Sequence, residues 1–131
     1  MKERIIWVVD DDIIYKTIMK KIINKSEIFA STVTFCNGLD AINCLKETID
    51  NNNDLPDIIL LDIEMPIMDG WAFMEEMVAI KPTLANAINI YISSSSIAVE
   101  DKLRAKNNPD ILGYMSKPIS LDDLKLIASF D

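Results

Sequence analysis

Acidic side chains follow two of the most apolar segments of this chain. Three aspartates at positions 10–12 come directly after the apolar run 5–9, and Asp62 follows the apolar run 58–61 in the same way. Continuous apolar runs are typical of parallel strands buried on both faces, and the carboxyl ends of such strands lie at one edge of a sheet. We therefore expect these carboxylates to share a crevice. Oxygen ligands of this kind suit Mg²⁺, so the pattern predicts a divalent-cation site.

Length and charge narrow the class of protein. The chain has 131 residues and is 50% hydrophobic, so we expect residues 1–131 to form one domain around one core. Its formal net charge of -8 argues against direct binding to nucleic acid or to an anionic membrane surface, because either would repel it. The apolar runs are too short to span a bilayer and the first residues lack a signal-peptide pattern, which favours a cytoplasmic location.

Two residue types restrict the chemistry further. The sequence contains no histidine, which excludes histidine-based acid–base catalysis, histidine metal ligands and an internal phosphohistidine. Cys36 and Cys44 lack metal-ligand spacing, and we expect both to be small buried hydrophobic residues of a reducing compartment rather than a disulfide or a zinc site. The chemistry is therefore expected to depend on carboxylates.

Apolar runs alternate with segments of helical periodicity along the chain. In the first helical segment Ile14, Ile18 and Ile22 recur four residues apart, and we expect them to form its buried stripe. A charged helix is predicted over residues 99–106, and Ser120 with Asp123 resembles the capping box of a last helix. The other helices have stripes through Leu39, Ile42 and Leu45, through Phe73, Met77 and Ile80, and through Leu121, Leu124 and Ile127. Strands are predicted over residues 5–9, 29–35, 57–61, 87–92 and 112–116.

Strand–helix pairs of this kind predict an α/β domain. Right-handed crossovers place helices on both faces of a parallel sheet, and the ligand crevice lies at the carboxyl ends of the strands. The unusual polar residues fall at such ends: positions 10–12 after the first strand, Asp62 after the third, Ser93 and Ser94 after the fourth, and Lys117 after the fifth. Their convergence at one edge is the functional signal in this sequence.

The same residues occur in four motifs with a fixed order. These are Val8 to Asp12, Leu60 to Gly70, Ile92-Ser93, and Gly113 to Pro118. Through them the chain resembles the receiver domain of two-component response regulators over nearly its whole length. The combination is specific, although each motif alone is weak. The resemblance implies a flavodoxin-like, doubly wound (βα)5 fold with a five-stranded parallel sheet in the order 2-1-3-4-5.

The resemblance also implies a Mg²⁺-dependent phosphoryl acceptor. Asp62 would accept the phosphoryl group as an acyl phosphate. Asp11, Asp62 and the backbone carbonyl of Glu64 would bind the ion directly, and Asp10 would hold it mainly through water. Lys117 would pair first with Asp62 and then with a phosphoryl oxygen. Such a domain performs its own phosphoryl transfer and autodephosphorylation, and it is not an enzyme acting on other substrates.

A conformational switch follows from the resemblance. Ser93 would donate to a phosphoryl oxygen and move inward, and Tyr114 would fill the vacated space, although the serine run leaves Ser94 open as the switch hydroxyl. Pro118 would follow Lys117 through the cis peptide bond found in receivers, which would aim the lysine inward. Tyr114 as a half-buried strand aromatic is an equal alternative.

The same family predicts the partners. The donor would be a histidine kinase, a histidine phosphotransfer protein or a small phosphodonor, because the chain has no histidine of its own. A downstream protein would dock on the face built from residues 99–106, Tyr114 and residues 121–130. A phosphorylation-dependent homodimer is left open, as is the choice between a stand-alone receiver and a piece of a longer regulator.

Two alternatives and one departure from the family pattern remain at the level of sequence. Asp10 and Asp12 also resemble the nucleophile loop of haloacid-dehalogenase-type phosphatases, with Asp10 as nucleophile and Asp12 as general acid/base. Asp12 is at least as well explained as a helix cap as it is as a metal ligand. Glu64, an acid two residues after Asp62, departs from the common family pattern, and we expect it to tune the rates of phosphorylation and dephosphorylation.

Overall fold

A computed structural model describes residues 4–51, 54–96 and 98–129. Its five strands form one parallel sheet in which the second strand of the chain lies at one edge and is followed by the first, third, fourth and fifth, which confirms the predicted topology. Among the described residues, no helix combines the length and apolar character needed to cross a bilayer. In chain order the elements are β1 (Ile5–Val9), α1 (Ile13–Ser26), β2 (Ser31–Phe35), α2 (Gly38–Asp50), β3 (Ile58–Leu61), α3 (Gly70–Ile80), β4 (Asn89–Ser94), α4 (Val99–Lys106), β5 (Ile111–Ser116) and α5 (Leu121–Ala128).

The core has one apolar cluster on each face of the sheet. On one face α1 and α5 pack against Ile6, Val8 and Leu60. On the other face α2, α3 and α4 pack against the side chains that alternate with these, among them Val9 and Leu61. All residues of β3 are buried, as expected for a central parallel strand covered on both sides. The central strands therefore deliver their last residues to a rigid edge.

The predicted buried stripe of the first helix is wrong by one position. Ile14 is 73% exposed and Ile18 is 43% exposed, and of the predicted stripe Ile22 alone packs, partly buried, against the core, whereas Tyr15, Met19 and Ile23 face the sheet. Both sets have the same four-residue spacing, so periodicity alone could not separate them. At the entry into the helix Asp12 caps α1 by accepting a hydrogen bond from the Tyr15 N–H at 3.1 Å, and the packing of α1 on the sheet selects the buried stripe. Capping is thus the observed role of Asp12.

Other expectations need smaller corrections. Strand β4 starts two residues later than predicted and contains Ser93 and Ser94, and β2 starts at Ser31 rather than at residue 29. Leu39, expected on the buried face of its helix, is 37% exposed. Cys36 is exposed rather than buried, and its Sγ lies 3.1 Å from the Nζ of the buried Lys16. The capping box of α5, by contrast, forms as predicted.

A close contact at the start of α3 requires glycine. A Cβ atom on Gly70 would lie 2.4 Å from the Asp62 carbonyl oxygen and 3.0 Å from the Cα of Ile63. Both are backbone atoms and cannot yield as a flexible side chain would. The Gly70 N–H also donates to the Ile63 carbonyl at 2.8 Å. The helix entry is thus packed directly against the residue that ends β3.

The corrected orientation of α1 predicts unequal effects of two adjacent substitutions. Met19→Ala should destabilise the protein by about 2–5 kcal/mol, because it empties a fully buried position. Ile18→Ala is the matched control, and we expect a change within about 1 kcal/mol at this partly exposed position. Urea denaturation measures both. Equal losses, or a larger loss for Ile18→Ala, would contradict the orientation described here.

Candidate functional site

Three residues of the site form one row at the carboxyl ends of the central strands β1, β3 and β4. Val9 pairs with Leu61 and Leu61 pairs with Ile92, so the next residues of β1, β3 and β4 are Asp10, Asp62 and Ser93. The Asp62 N–H extends this ladder by donating to the Val9 carbonyl at 2.9 Å. Side chains two residues apart on a strand point to the same face, and those preceding this row belong to the cluster beneath α1 and α5. The row therefore faces α1.

Lys117 joins this row from the end of β5. Its backbone N–H donates to the Ser94 carbonyl at 3.0 Å, which continues the pairing of β5 with β4 beyond Ser116. The side chain, 15% exposed, places Nζ 2.5 Å from Asp10 Oδ2 and 3.4 Å from Asp62 Oδ1. One ammonium group therefore lies between two carboxylates. The Lys117–Pro118 peptide bond is cis, as the resemblance predicted.

The Lys117 ammonium does not fully offset the negative charge of the neighbouring carboxylates. Burial, and next the neighbouring Asp10 carboxylate, raise the pKa of Asp62 to about 6, against the lowering effect of Lys117. The pKa of Lys117 is also raised: burial, the largest influence, opposes this, but the two carboxylates together outweigh it. The lysine thus stays protonated, and the carboxylates still carry more negative charge than it compensates.

The acidic residues satisfy the requirements of a divalent-cation site. Carboxylate oxygens of Asp10, Asp11 and Asp62 all lie within 4.8 Å of one another. Asp10 Oδ2 is fully buried and, among the described residues, has no hydrogen-bond partner besides its ion pair with Lys117. Hard oxygen donors with uncompensated charge are the set that Mg²⁺ prefers. The residues present fit that ion.

An open cavity of about 360 Å³ leads to this group. Glu64 is exposed and lines the cavity together with Asp11 and Asp62. Ser94, Ser95 and Ser96 form the opposite wall. Asp12 also lines it, although its Oδ1 caps α1. The cavity thus combines carboxylates, hydroxyl groups and one cation, a composition suited to a metal-bound phosphate.

Tyr114 lies apart from the row formed by Asp10, Asp62 and Ser93. It pairs with Ile92 in the sheet and packs against the cluster on the α2–α4 face. Its hydroxyl donates to the Ser96 carbonyl at 2.9 Å. This hydrogen bond connects the Tyr114 side chain to the loop that leads from β4 to α4.

Tyr15 is the residue of this region that sequence reasoning missed. Its hydroxyl oxygen lies 2.6 Å from Ser93 Oγ, and the Lys117 ammonium lies 4.5 Å from the centre of its ring. The signal that could have found it is the alternative four-residue stripe through Tyr15, Met19 and Ile23, which points toward the sheet. The adjacent isoleucine stripe has the same spacing, so periodicity alone did not predict a buried Tyr15.

Comparisons with known proteins agree with this geometry. A two-component response regulator from Cytophaga hutchinsonii superposes with a TM-score of 0.89 at 25% identity, covering 99% of this chain and 97% of that one. The DNA-binding transcriptional regulator NtrC of Escherichia coli is 28% identical over 94% of this chain but only 24% of its own length. The sensor histidine kinase CheAY of Helicobacter pylori is 30% identical over 88% of this chain and 13% of its own length.

The chain thus spans about a quarter or less of the curated relatives that it matches. The family model for the response regulator receiver domain matches residues 6–129, which include Asp10, Asp62, Ser93 and Lys117. On these grounds the chain belongs to the response regulator receiver domain family and is a receiver domain of two-component signalling.

Proposed function

We propose that Asp62 is the phosphoryl acceptor of this receiver domain and that residues 1–131 act as one such domain. The observation that supports this most strongly is the placement of Asp62, which is 6% exposed at the end of β3 with the Lys117 ammonium 3.4 Å away. It also faces a cavity wide enough to admit a phosphoryl group. A carboxylate in this position can be reached by a donor and is held in a fixed direction.

The residues act in a simple order. An Asp62 carboxylate oxygen attacks phosphorus, the bond from phosphorus to the donor atom breaks, and the electron pair leaves with the donor. Lys117 already contacts Asp62 and pairs with a phosphoryl oxygen as negative charge moves outward. Ser93, on the same row, donates its hydroxyl to another phosphoryl oxygen. The register of β3 with β4 supports Ser93, whereas the lining of the cavity supports Ser94, so Ser94 stays open as the alternative hydroxyl.

Mg²⁺ fits the acidic group as the metal cofactor. Asp11, Asp62 and the backbone carbonyl of Glu64 would hold it directly, and Asp10 would do so mainly through water. When bound, the ion supplies positive charge that screens the carboxylate from the incoming phosphoryl group. Asp10 and Lys117 keep the site ordered through their ion pair.

The partners follow from the family and the chemistry. Receiver domains accept phosphate from histidine kinases, and we infer that a histidine kinase, a histidine phosphotransfer protein or a small phosphodonor serves this chain. We propose that phosphorylation draws Ser93 inward and alters Tyr114 and the face formed by α4, β5 and α5, where a downstream protein docks. Residue 130 of the predicted face lies outside the described residues. Autodephosphorylation at Asp62, a phosphorylation-dependent homodimer and a cytoplasmic location belong to the same proposal.

The phosphatase alternative is not favoured. It requires the Asp12 carboxylate as general acid/base, whereas Asp12 Oδ1 accepts the Tyr15 N–H as the cap of α1. The carboxylate group that could hold a metal ion comprises Asp10, Asp11 and Asp62. The family match then places the chain among receivers.

Phosphate acceptance is the primary test. Incubation with Mg²⁺ and a small acyl phosphate should add one labile phosphate by intact mass, and Asp62→Asn should abolish the gain because it removes the attacking oxygen. Asp54→Asn, an exposed control, should be labelled like the parent protein. Labelling that survives Asp62→Asn would refute the assignment, and phosphate-ester turnover abolished by Asp10→Asn but spared by Asp62→Asn would restore the phosphatase alternative.

Glu64 provides a second test. Replacing its carboxylate by Glu64→Asn or Glu64→Lys should change the phosphorylation and dephosphorylation rates several-fold, because a negative charge at the cavity wall repels the phosphoryl group and perturbs the attacking water. Glu75→Asn removes an exposed acid from α3 and should leave both rates unchanged. Rates are followed by the gain and decay of the labile phosphate, and unchanged rates in both Glu64 variants would exclude the role.

The raised pKa of Asp62 predicts a pH dependence of stability without metal. Its folded-state pKa of about 6 lies above the ordinary value of 3.8, so between these values the folded state binds more protons than the unfolded state. Unfolding in EDTA should therefore show stability falling, from this group, as the pH rises from about 4 to about 6. Asp62→Asn should remove that contribution and gain about 1–3 kcal/mol at pH 7.5.

Urea denaturation at several pH values measures the difference between the parent protein and Asp62→Asn. Asp54→Asn should retain the parent's dependence. If Asp62→Asn destabilises the metal-free protein at pH 7.5, the repulsion inferred for the carboxylate row is wrong.

A further inference from the structure

A direct hydrogen bond connects α1 to the row that holds the proposed acceptor. Tyr15 and Ser93 are both buried, and their hydroxyl oxygens lie 2.6 Å apart, which is a short O–H···O distance. The two residues are 78 positions apart in sequence, so the contact depends on the packing of α1 against the sheet. Burial raises the pKa of the Tyr15 phenol, which keeps its proton available for this bond.

This bond commits the Ser93 hydroxyl to a partner other than a phosphoryl group. Ser93 lies on the row of Asp62 and is the hydroxyl that the proposed function assigns to a phosphoryl oxygen. Among the described serines that follow Ile92, those lining the acidic cavity are Ser94, Ser95 and Ser96, whereas the Ser93 hydroxyl contacts Tyr15. Movement of Ser93 Oγ toward the cavity would separate it from the Tyr15 hydroxyl, so donation to a phosphoryl oxygen there requires this hydrogen bond to break, whichever hydroxyl is the donor.

The ring of Tyr15 makes a second contact with the site. The Lys117 ammonium lies 4.5 Å from the ring centre, within the range of a cation–π interaction, while it pairs with Asp10 and Asp62. The ring therefore occupies one side of the cation, and the carboxylates occupy another. Tyr15 touches the serine and the lysine through different parts of one side chain, so the two contacts can be removed separately.

We propose that Tyr15 is a positioning residue for phosphoryl transfer, whose hydroxyl restrains Ser93 in the unphosphorylated state and whose ring seats the Lys117 ammonium beside the carboxylates. This inference deepens the proposed function and rests on Asp62 being the acceptor. The first contact slows capture of the phosphoryl group by Ser93. The second keeps Lys117 aimed at Asp62.

Two substitutions separate the contacts. Tyr15→Phe removes the hydroxyl and keeps the ring, and it should raise the rate of phosphorylation by a small acyl phosphate about three- to tenfold, the effect of releasing one hydrogen bond. Tyr15→Leu removes the ring as well, and its rate should fall at least about twofold below that of Tyr15→Phe. Thr17→Val removes a hydroxyl from the exposed side of the same helix and serves as the control, with the parent rate expected.

A double-mutant cycle distinguishes restraint of Ser93 from a general effect on packing. In the Ser93→Ala background the Tyr15 hydroxyl has lost its partner, so adding Tyr15→Phe should change the rate less than twofold. The initial rates are measured by intact mass at fixed Mg²⁺ and acyl phosphate. Urea denaturation of each variant checks that the proteins compared are folded.

The outcomes separate this inference from the function on which it rests. If the parent protein gains no phosphate at Asp62, the proposed function fails. If the parent is labelled at Asp62 but Tyr15→Phe reacts at the parent rate or more slowly, the restraint is refuted and the acceptor role stands. An acceleration by Tyr15→Phe that persists with Ser93→Ala would likewise refute it, and a Tyr15→Leu rate equal to that of Tyr15→Phe would refute the seating of Lys117.

Discussion

The ion pairs of Lys117 are the interaction on which the rest of this site depends. Two carboxylates on one row, Asp10 and Asp62, are buried where water cannot screen them, and a single ammonium lies 2.5 Å and 3.4 Å from them. Removing that ammonium would leave two uncompensated buried charges. Even with it, burial and next the Asp10 carboxylate raise the pKa of Asp62 to about 6, so the charged form of Asp62 is still disfavoured. Two carboxylates thus face one ammonium, which is the physical basis for binding a divalent cation that would screen them from an anionic phosphoryl group.

The fold supplies this arrangement through the order of its strands. Because β1, β3, β4 and β5 are consecutive neighbours, their carboxyl ends present two aspartates, a serine and a lysine side by side. Short backbone contacts hold each of these residues. The N–H of Lys117 bonds to the Ser94 carbonyl, and Gly70 brings α3 against the Asp62 carbonyl where a larger residue would collide. Both helix layers pack on the same central strands, so the positions of the charged groups are set by the core rather than by the surface loops.

Much of this could be predicted from the sequence because it depends on local patterns. Continuous apolar runs identified the parallel strands, the motifs gave the family, and the aspartates behind β1 and β3 met as expected. What failed depended on contacts between distant segments. The stripes through Ile14 and through Tyr15 have equal spacing, and only the approach of α1 to β4 selects the second, which is also why Tyr15 was missed. Cys36 is exposed because it lies just beyond the edge strand β2, a position that residue type does not reveal.

The central claim is that the carboxylates of Asp10, Asp11 and Asp62 bind one divalent cation, and a calorimetric titration of the intact chain with Mg²⁺ at neutral pH tests it most directly. The account predicts a saturable site for one ion, weakened at least about tenfold by Asp11→Asn, because that carboxylate would lose a direct bond to the ion. Absence of saturable binding, or an affinity that Asp11→Asn leaves unchanged, would contradict it.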